Sequence, residues 1–270
     1  MIRKILRSAW LGIVLLFSYF PILVLVVYSF LDTPTIGASG NFSIQNYIRL
    51  FTTPELIEMI WGTMSLALKC AVISTILGTM GAIGSFYSKK TMRGFVAASN
   101  QLPIVNADVV TGFSICVLLI VVFGMDKDTS IPLLIGHVVL ATPFVYLSVI
   151  PKLKQMDHSL YEAALDLGAS ATKALRKIVI PQIIPGIVSG FLLAVTLSLD
   201  DYFITTYTKP ATFNTISTYV VNATKGSQTD IKTALWALST VIFVVILVAV
   251  LISNFTINRK ADEKGGRNEI

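Results

Sequence analysis

The sequence predicts an all-α, polytopic membrane protein with six transmembrane helices. Three observations point there: the composition, the length of the apolar blocks and the placement of the basic residues. Of 270 residues, 54% are hydrophobic and 13% charged, where soluble domains carry roughly 25% charged residues. A water-soluble fold of this size cannot hide that much apolar surface in one core. The apolar residues gather in blocks that reach the roughly 20 residues a helix needs to cross a bilayer. A lone spanning segment has to be a helix, because in lipid it must satisfy its own backbone hydrogen bonds.

Six blocks follow one another near residues 10–30, 61–87, 95–123, 131–150, 185–207 and 235–255. With their connections they form one transmembrane domain, residues 1–258. The first block comes after Arg3, Lys4 and Arg7. A signal peptide shares that basic start, but its apolar region runs only about 7–15 residues. Ile36-Gly37-Ala38 is a weak cleavage candidate, so the first block reads as an uncleaved anchor. The outer segment behind it holds an amphipathic stretch through Tyr47, Ile48, Leu50 and Phe51. Lys69 sits within the second block, Asp108 about midway along the third, and His137 in the fourth. His137 has no neighbouring motif and reads as a satisfied bundle histidine. The fifth block carries Ser198-Leu199-Asp200-Asp201 and the aromatics Tyr202, Phe203 and Tyr207. Pro103, Pro132 and Pro143 are candidates for breaking helices near a binding site, though prolines are also ordinary in membrane helices. Residues 259–270 form a charged, glycine-containing tail, expected to be disordered.

The basic residues orient the bundle. Six crossings put both termini on one side, together with Lys89, Lys90, Arg93, Lys152, Lys154, Lys173, Arg176 and Lys177. That side holds fifteen lysines and arginines. The other holds five: Arg49, Lys127, Lys209, Lys225 and Lys232. The richer side is the expected cytoplasm. The net charge of +6 is thus spread as topology requires and not as a nucleic-acid face. Cys70 and Cys116 lie apart in apolar blocks and read as small core or lipid-facing residues.

The loop at 157–181, between the fourth and fifth blocks, carries the strongest local signal. It reads as two short helices joined by a glycine turn. Ser159 and Glu162 have capping-box spacing, and Leu160, Ala163, Ala164 and Leu167 share a helical face. Gly168 suits a left-handed residue after the helix. The second helix carries Ala171, Ala174, Leu175 and Ile178, and Pro181 is expected to close it. An apolar face on a cytoplasmic loop either lies flat on the inner leaflet or is covered by another protein.

Glu162-Ala163-Ala164, three residues, Gly168, nine residues, then Ile178-x-Ile180-Pro181 resembles the "EAA" loop of ATP-binding-cassette importer permeases. Ile180 stands where leucine is usual. In that family the loop docks as a coupling helix into a cleft on a separate ATPase. The resemblance therefore gives Glu162, Ala163, Ala164, Gly168, Ile178 and Pro181 an ATPase-coupling role. The 157–181 loop, the Asp200-Asp201 pair and the 103–108 segment are also similar to the spermidine/putrescine branch of the family. That similarity implies a type I importer fold, a heterodimer with a second permease, two ATPase subunits binding ATP and magnesium, and an extracytoplasmic polyamine-binding protein. It implies a place in the cytoplasmic membrane.

Asp108, Asp200, Asp201 and Tyr202 are the candidates for the substrate pathway. A carboxylate at mid-membrane costs roughly 2.5–3.5 kcal/mol on insertion scales, so it faces the bundle interior or water. A cationic cargo would partner such carboxylates, and aromatic rings would add cation–π faces. Pairing with Lys69 is the competing reading. Adjacent helical residues point about 100° apart, so one of Asp200 and Asp201 should face the pathway. A secondary transporter is disfavoured, since six crossings show no inverted repeat. An enzyme is disfavoured as well: the sequence has no H-E-x-x-H, no P-loop and no metal cluster, and Ser189 between Gly186 and Gly190 lacks elbow spacing. Another small cargo, such as a ferric ion or an oxyanion, is the alternative within the importer class, and the acidic crossings weigh against an anion.

Overall fold

Apolar segments that must close their own hydrogen bonds fold here as helices. The computed structural model describes residues 2–33, 40–157, 159–225, 233–245 and 247–248. Among them the one extended pairing is an isolated bridge, Leu31 to Phe42. The chain divides into two bodies, residues 58–219 and residues 1–57 with 220–270.

In the smaller body, α1 (Ile2–Ser29) keeps Pro21 inside the helix. Apart from Ser29 at its end, no residue of its apolar stretch Trp10–Ser29 is buried. Helix α2 (Gln45–Thr52) realises the amphipathic segment, with Asn46 and Leu50 buried and Ile48 and Phe51 exposed. It folds back onto the end of α1 because Asn46 Nδ2 donates to the carbonyls of Ser29 and Leu31, each at 3.0 Å. The Phe30 ring packs on Phe42 and Tyr47.

The larger body contains most of α3 (Pro54–Tyr87), then α4 (Lys90–Val105) and α5 (Asp108–Cys116), which ends in a π-helical turn, Val117–Val122. Next come α6 (Ile131–Gln155), α7 (Ser159–Asp166) and α8 (Ala171–Ala174). A second π-helical turn, Leu175–Val179, joins α8 to α9 (Ile180–Asp200). The short α10 (Phe203–Thr208) follows, and α11 (Ile216–Lys225) leads into the other body. There Thr233–Val245, here α12, sets Trp236 against Tyr28 with ring centroids 5.6 Å apart.

Among the described residues four helices are long and apolar enough to cross a membrane: Trp10–Ser29, Pro54–Tyr87, Ile131–Gln155 and Ala171–Asp200. The third block differs from the continuous helix expected. It is split into α4 and α5, bent by 104°, with Asn106 and Ala107 in extended conformation. Pro103 inside α4 withholds an amide. Asp108 thereby becomes the first residue of a helix, where its charge suits the positive end of the dipole. The fifth block is likewise interrupted, at Asp201 and Tyr202, and α9 stops at Asp200. Residues 249–255 of the sixth block, the tail and the 36–38 cleavage candidate lie outside the described residues.

The core forms where α6 and α9 approach closely. Gly186, Gly190, Ala194 and Ser198 recur every fourth residue on the buried face of α9. A Cβ added at Gly190 would stand 3.1 Å from Val145 Cα, and one at Gly186 would stand 2.9 Å from the Ser148 carbonyl. Only glycine lets these backbones pack, in the small-xxx-small manner of membrane helices. Val145, Val149, Leu153, Val179, Ile183 and Ala194 join Cys70, Ala71 and Ala82 of α3 around this seam.

Candidate functional site

The loop after α6 is built by local hydrogen bonds. Asp157 caps α7: its Oδ1 accepts from the Ser159 amide at 2.9 Å. The expected Ser159–Glu162 capping box is therefore replaced by a cap two residues earlier, and Glu162 stays exposed. The far end is a Schellman turn. The Ala169 amide donates to the Ala164 carbonyl at 3.0 Å and the Gly168 amide to the Leu165 carbonyl at 2.9 Å, with Gly168 at φ +83°. This is the left-handed residue that the motif requires.

Ser170 then caps α8, accepting from the Lys173 amide. Pro181 does not close this second helix, contrary to expectation. The chain stays helical from Ala171 to Asp200, because the π-helical turn at Leu175–Val179 shifts the hydrogen-bond register just ahead of the proline. The glycine turn thus leads directly into a membrane-length helix. Helix α7 buries no residue. Tyr161 leans on Tyr87 at 5.2 Å between centroids and on the core cluster, while Glu162 and Ala163 face outward, as does Leu167 at 89% exposure. Ala164 and Ile178 are half-buried.

The second feature is the break between α9 and α10. Asp201 is buried, and its carboxylate accepts from the Ile204 amide at 3.3 Å, the Thr205 amide at 2.7 Å and Thr205 Oγ1 at 2.8 Å. It caps α10. His137 of α6, 1% exposed, places Nδ1 2.8 Å from Ser198 Oγ and Nε2 3.0 Å from Thr205 Oγ1. Its Nε2 is also 3.6 Å from Asp201 Oδ2. His137 is thus a satisfied bundle histidine. Cys70 of α3 lies beside Ser74 and Ser198 at the edge of the same cluster.

Asp200, one residue earlier, is exposed, and Tyr202, one residue later, is half-buried against Phe203. Asp108 is exposed at the other break. Helix α5 packs on α10 through Gly112, where an added Cβ would meet Ile204 Cα at 3.1 Å, and through Phe113 against Tyr207. The two interrupted helices are therefore neighbours. Lys69 is exposed and pairs with no aspartate among the described residues. Past α10, Lys209 Nζ donates to the Phe213 carbonyl and to Asn214 Oδ1. Burial, with the Lys127 ammonium nearby, pushes that amine below its usual range.

Sequence reasoning missed two features. The Gly186-x-x-x-Gly190 spacing, which does not suit a serine elbow, is a helix-packing stripe. The partnership of Ser198, Thr205 and His137 had no local signal, because 61 and 68 residues separate His137 from the two hydroxyls.

Comparison with known proteins follows the same lines. Residues 74–262 match the family model described as binding-protein-dependent transport system inner membrane component. The spermidine/putrescine transport system permease protein PotC of Haemophilus influenzae is 34% identical over 263 residues, 96% of this chain and 99% of that protein. The putrescine transport system permease protein PotI of Escherichia coli K12 is 32% identical over 216 residues, 75% of each chain. Among solved structures, a bacterial ABC transporter involved in import of the acidic polysaccharide alginate aligns with a TM-score of 0.68, at 19% identity, over 93% of this chain and 96% of that one. That last likeness is one of fold.

Proposed function

We propose that this chain, which belongs to the family of binding-protein-dependent transport system inner membrane components, is the permease half of an ATP-driven importer carrying polyamines inward across the cytoplasmic membrane. Six crossings with both termini in the cytoplasm satisfy the fifteen-to-five split of basic residues. A second permease completes the pathway, two ATPase subunits bind ATP and magnesium, and an extracytoplasmic binding protein delivers the cargo. ATP-driven closure of the ATPases pushes α7 through Glu162, Ala163, Ala164 and Gly168. The continuous helix from Ala171 to Asp200, which holds Ile178 and Pro181, carries that displacement to the break at Asp201.

The observation that carries the cargo assignment is the presence of exposed carboxylates, Asp108 and Asp200, at the breaks of two neighbouring helices. Discontinuous membrane helices are where transporters build binding sites, and separated carboxylates match a flexible chain of ammonium groups. Tyr202 adds an aromatic face beside Asp200. Asp201 is spent on α10 and supports the site from within.

The test is spermidine uptake by the whole transporter in proteoliposomes. Asp108→Asn and Asp200→Asn should each raise the apparent KM about tenfold, the equivalent of about 1.4 kcal/mol, at normal protein levels. Unchanged uptake in both variants, or uptake by this chain without ATPase, would refute the proposal.

A further inference from the structure

We propose that His137 is a positioning residue, a clamp that fixes the α9–α10 break and so sets where Asp200 and Tyr202 stand. The clamp rests on the pathway reading only for its consequence, and on geometry for its existence. One imidazole from α6 reaches both sides of the interruption: Ser198 in the last turn of α9 at 2.8 Å and Thr205 in the first turn of α10 at 3.0 Å. Asp201, the pivot between them, turns its carboxylate onto the same threonine.

The hydrogens can be assigned from the network itself. The Thr205 hydroxyl donates to Asp201 Oδ2 at 2.8 Å, so its oxygen accepts from His137 Nε2–H. Nδ1 is then left to accept from the Ser198 hydroxyl. This Nε2–H tautomer satisfies every polar atom of the clamp, and Nε2–H also points toward the Asp201 carboxylate at 3.6 Å. A fully satisfied polar network in an apolar bundle rigidifies what it joins. The helices packed around the network hold it in place. The small-residue stripe of α9 brings Ser198 against α6, and Gly136, next to His137, makes room for Ile204, whose Cγ2 lies 2.6 Å from where a Cβ would stand. Asp200 and Tyr202 make no part of the clamp, yet each is one peptide from its pivot.

The experiment measures the break directly. Spin labels at the exposed positions Ser189→Cys of α9 and Thr206→Cys of α10, in a Cys116→Ala background with the buried Cys70 left in place, report the distance across the break in the assembled transporter. His137→Ala should widen that distance distribution at least twofold and raise the apparent KM for spermidine three- to tenfold, while ATP hydrolysis persists. His137→Gln, which keeps one donor and one acceptor, should recover part of both. If His137→Ala does not assemble, Ser198→Ala and Thr205→Val each remove one strut and should each widen the distribution by a smaller amount. An unchanged distribution in the assembled variants overturns the clamp. A widened distribution with an unaltered KM overturns its positioning role. A widened distribution alongside full activity of Asp200→Asn removes the pathway reading and leaves the clamp.

Discussion

Asp200 and Asp201 are chemically identical neighbours with opposite surroundings. One carboxylate is exposed at the end of a helix, and the other accepts three hydrogen bonds in the interior. The roughly 100° between adjacent helical residues makes it legible from sequence that the two should have different surroundings. Which one depends on a helix start two residues later and a histidine from another helix, and neither is local. The difference is measurable. Asp201→Ala strips a buried cap and takes the carboxylate acceptor from two amides and the Thr205 hydroxyl, which costs about 1–3 kcal/mol. It should lower the melting temperature of the purified transporter clearly. Asp200→Ala, on an exposed side chain, should leave melting unchanged while impairing uptake. Equal melting curves for the two variants would reverse these roles.

At the scale of elements, the loop after α6 was readable because its signals are local. Gly168 lies where turn chemistry places it, and the structure holds it at φ +83°. Of the three candidate helix breakers only Pro103 sits beside a break, while Pro132 and Pro143 lie in the unbroken α6. The break at Asp201 had no such signal, because lipid constrains the apolarity and length of a segment but not its straightness. Residues 95–123 satisfy that constraint whether the helix runs through or turns by 104°. The capping box failed for a related reason: Ser159 and Asp157 compete for the same helix start, and the carboxylate won. Gly168 separates two demands on the loop. A Cβ there would meet nothing within 4 Å in this chain, so the local cost of substitution is conformational, about 1–2 kcal/mol for a left-handed residue. Asn tolerates that region, and Leu neither tolerates it nor leaves the surface clear. Gly168→Asn should keep most ATP-driven uptake, and Gly168→Leu should abolish it with the protein still in the membrane. Equal loss in both would mean that the docked partner leaves no space for any side chain.

At the scale of the molecule, the surfaces this chain leaves open define what it must join. The apolar stretch of α1 buries only its last residue, Ser29, a burden lipid or a second permease can carry. Helix α7 cannot use lipid in the same way if it projects from the cytoplasmic face, yet it exposes Leu160 and Leu165 at 49% and 38%, and the turn after it exposes Leu167 at 89%. Apolar groups so presented, beside the outward Glu162 and Ala163, fit a protein cleft, and a leaflet-bound helix would show the same exposure. Labelling separates the two. Leu167→Cys, in the Cys116→Ala background, should react readily with a membrane-impermeant maleimide in inside-out vesicles that lack the ATPase. Adding the ATPase subunit should slow that reaction about tenfold, as a residue at the centre of a docked interface loses water. A cysteine that is unreactive without the ATPase would place α7 against lipid. One that reacts equally fast with and without it would mean that force reaches the bundle by another route.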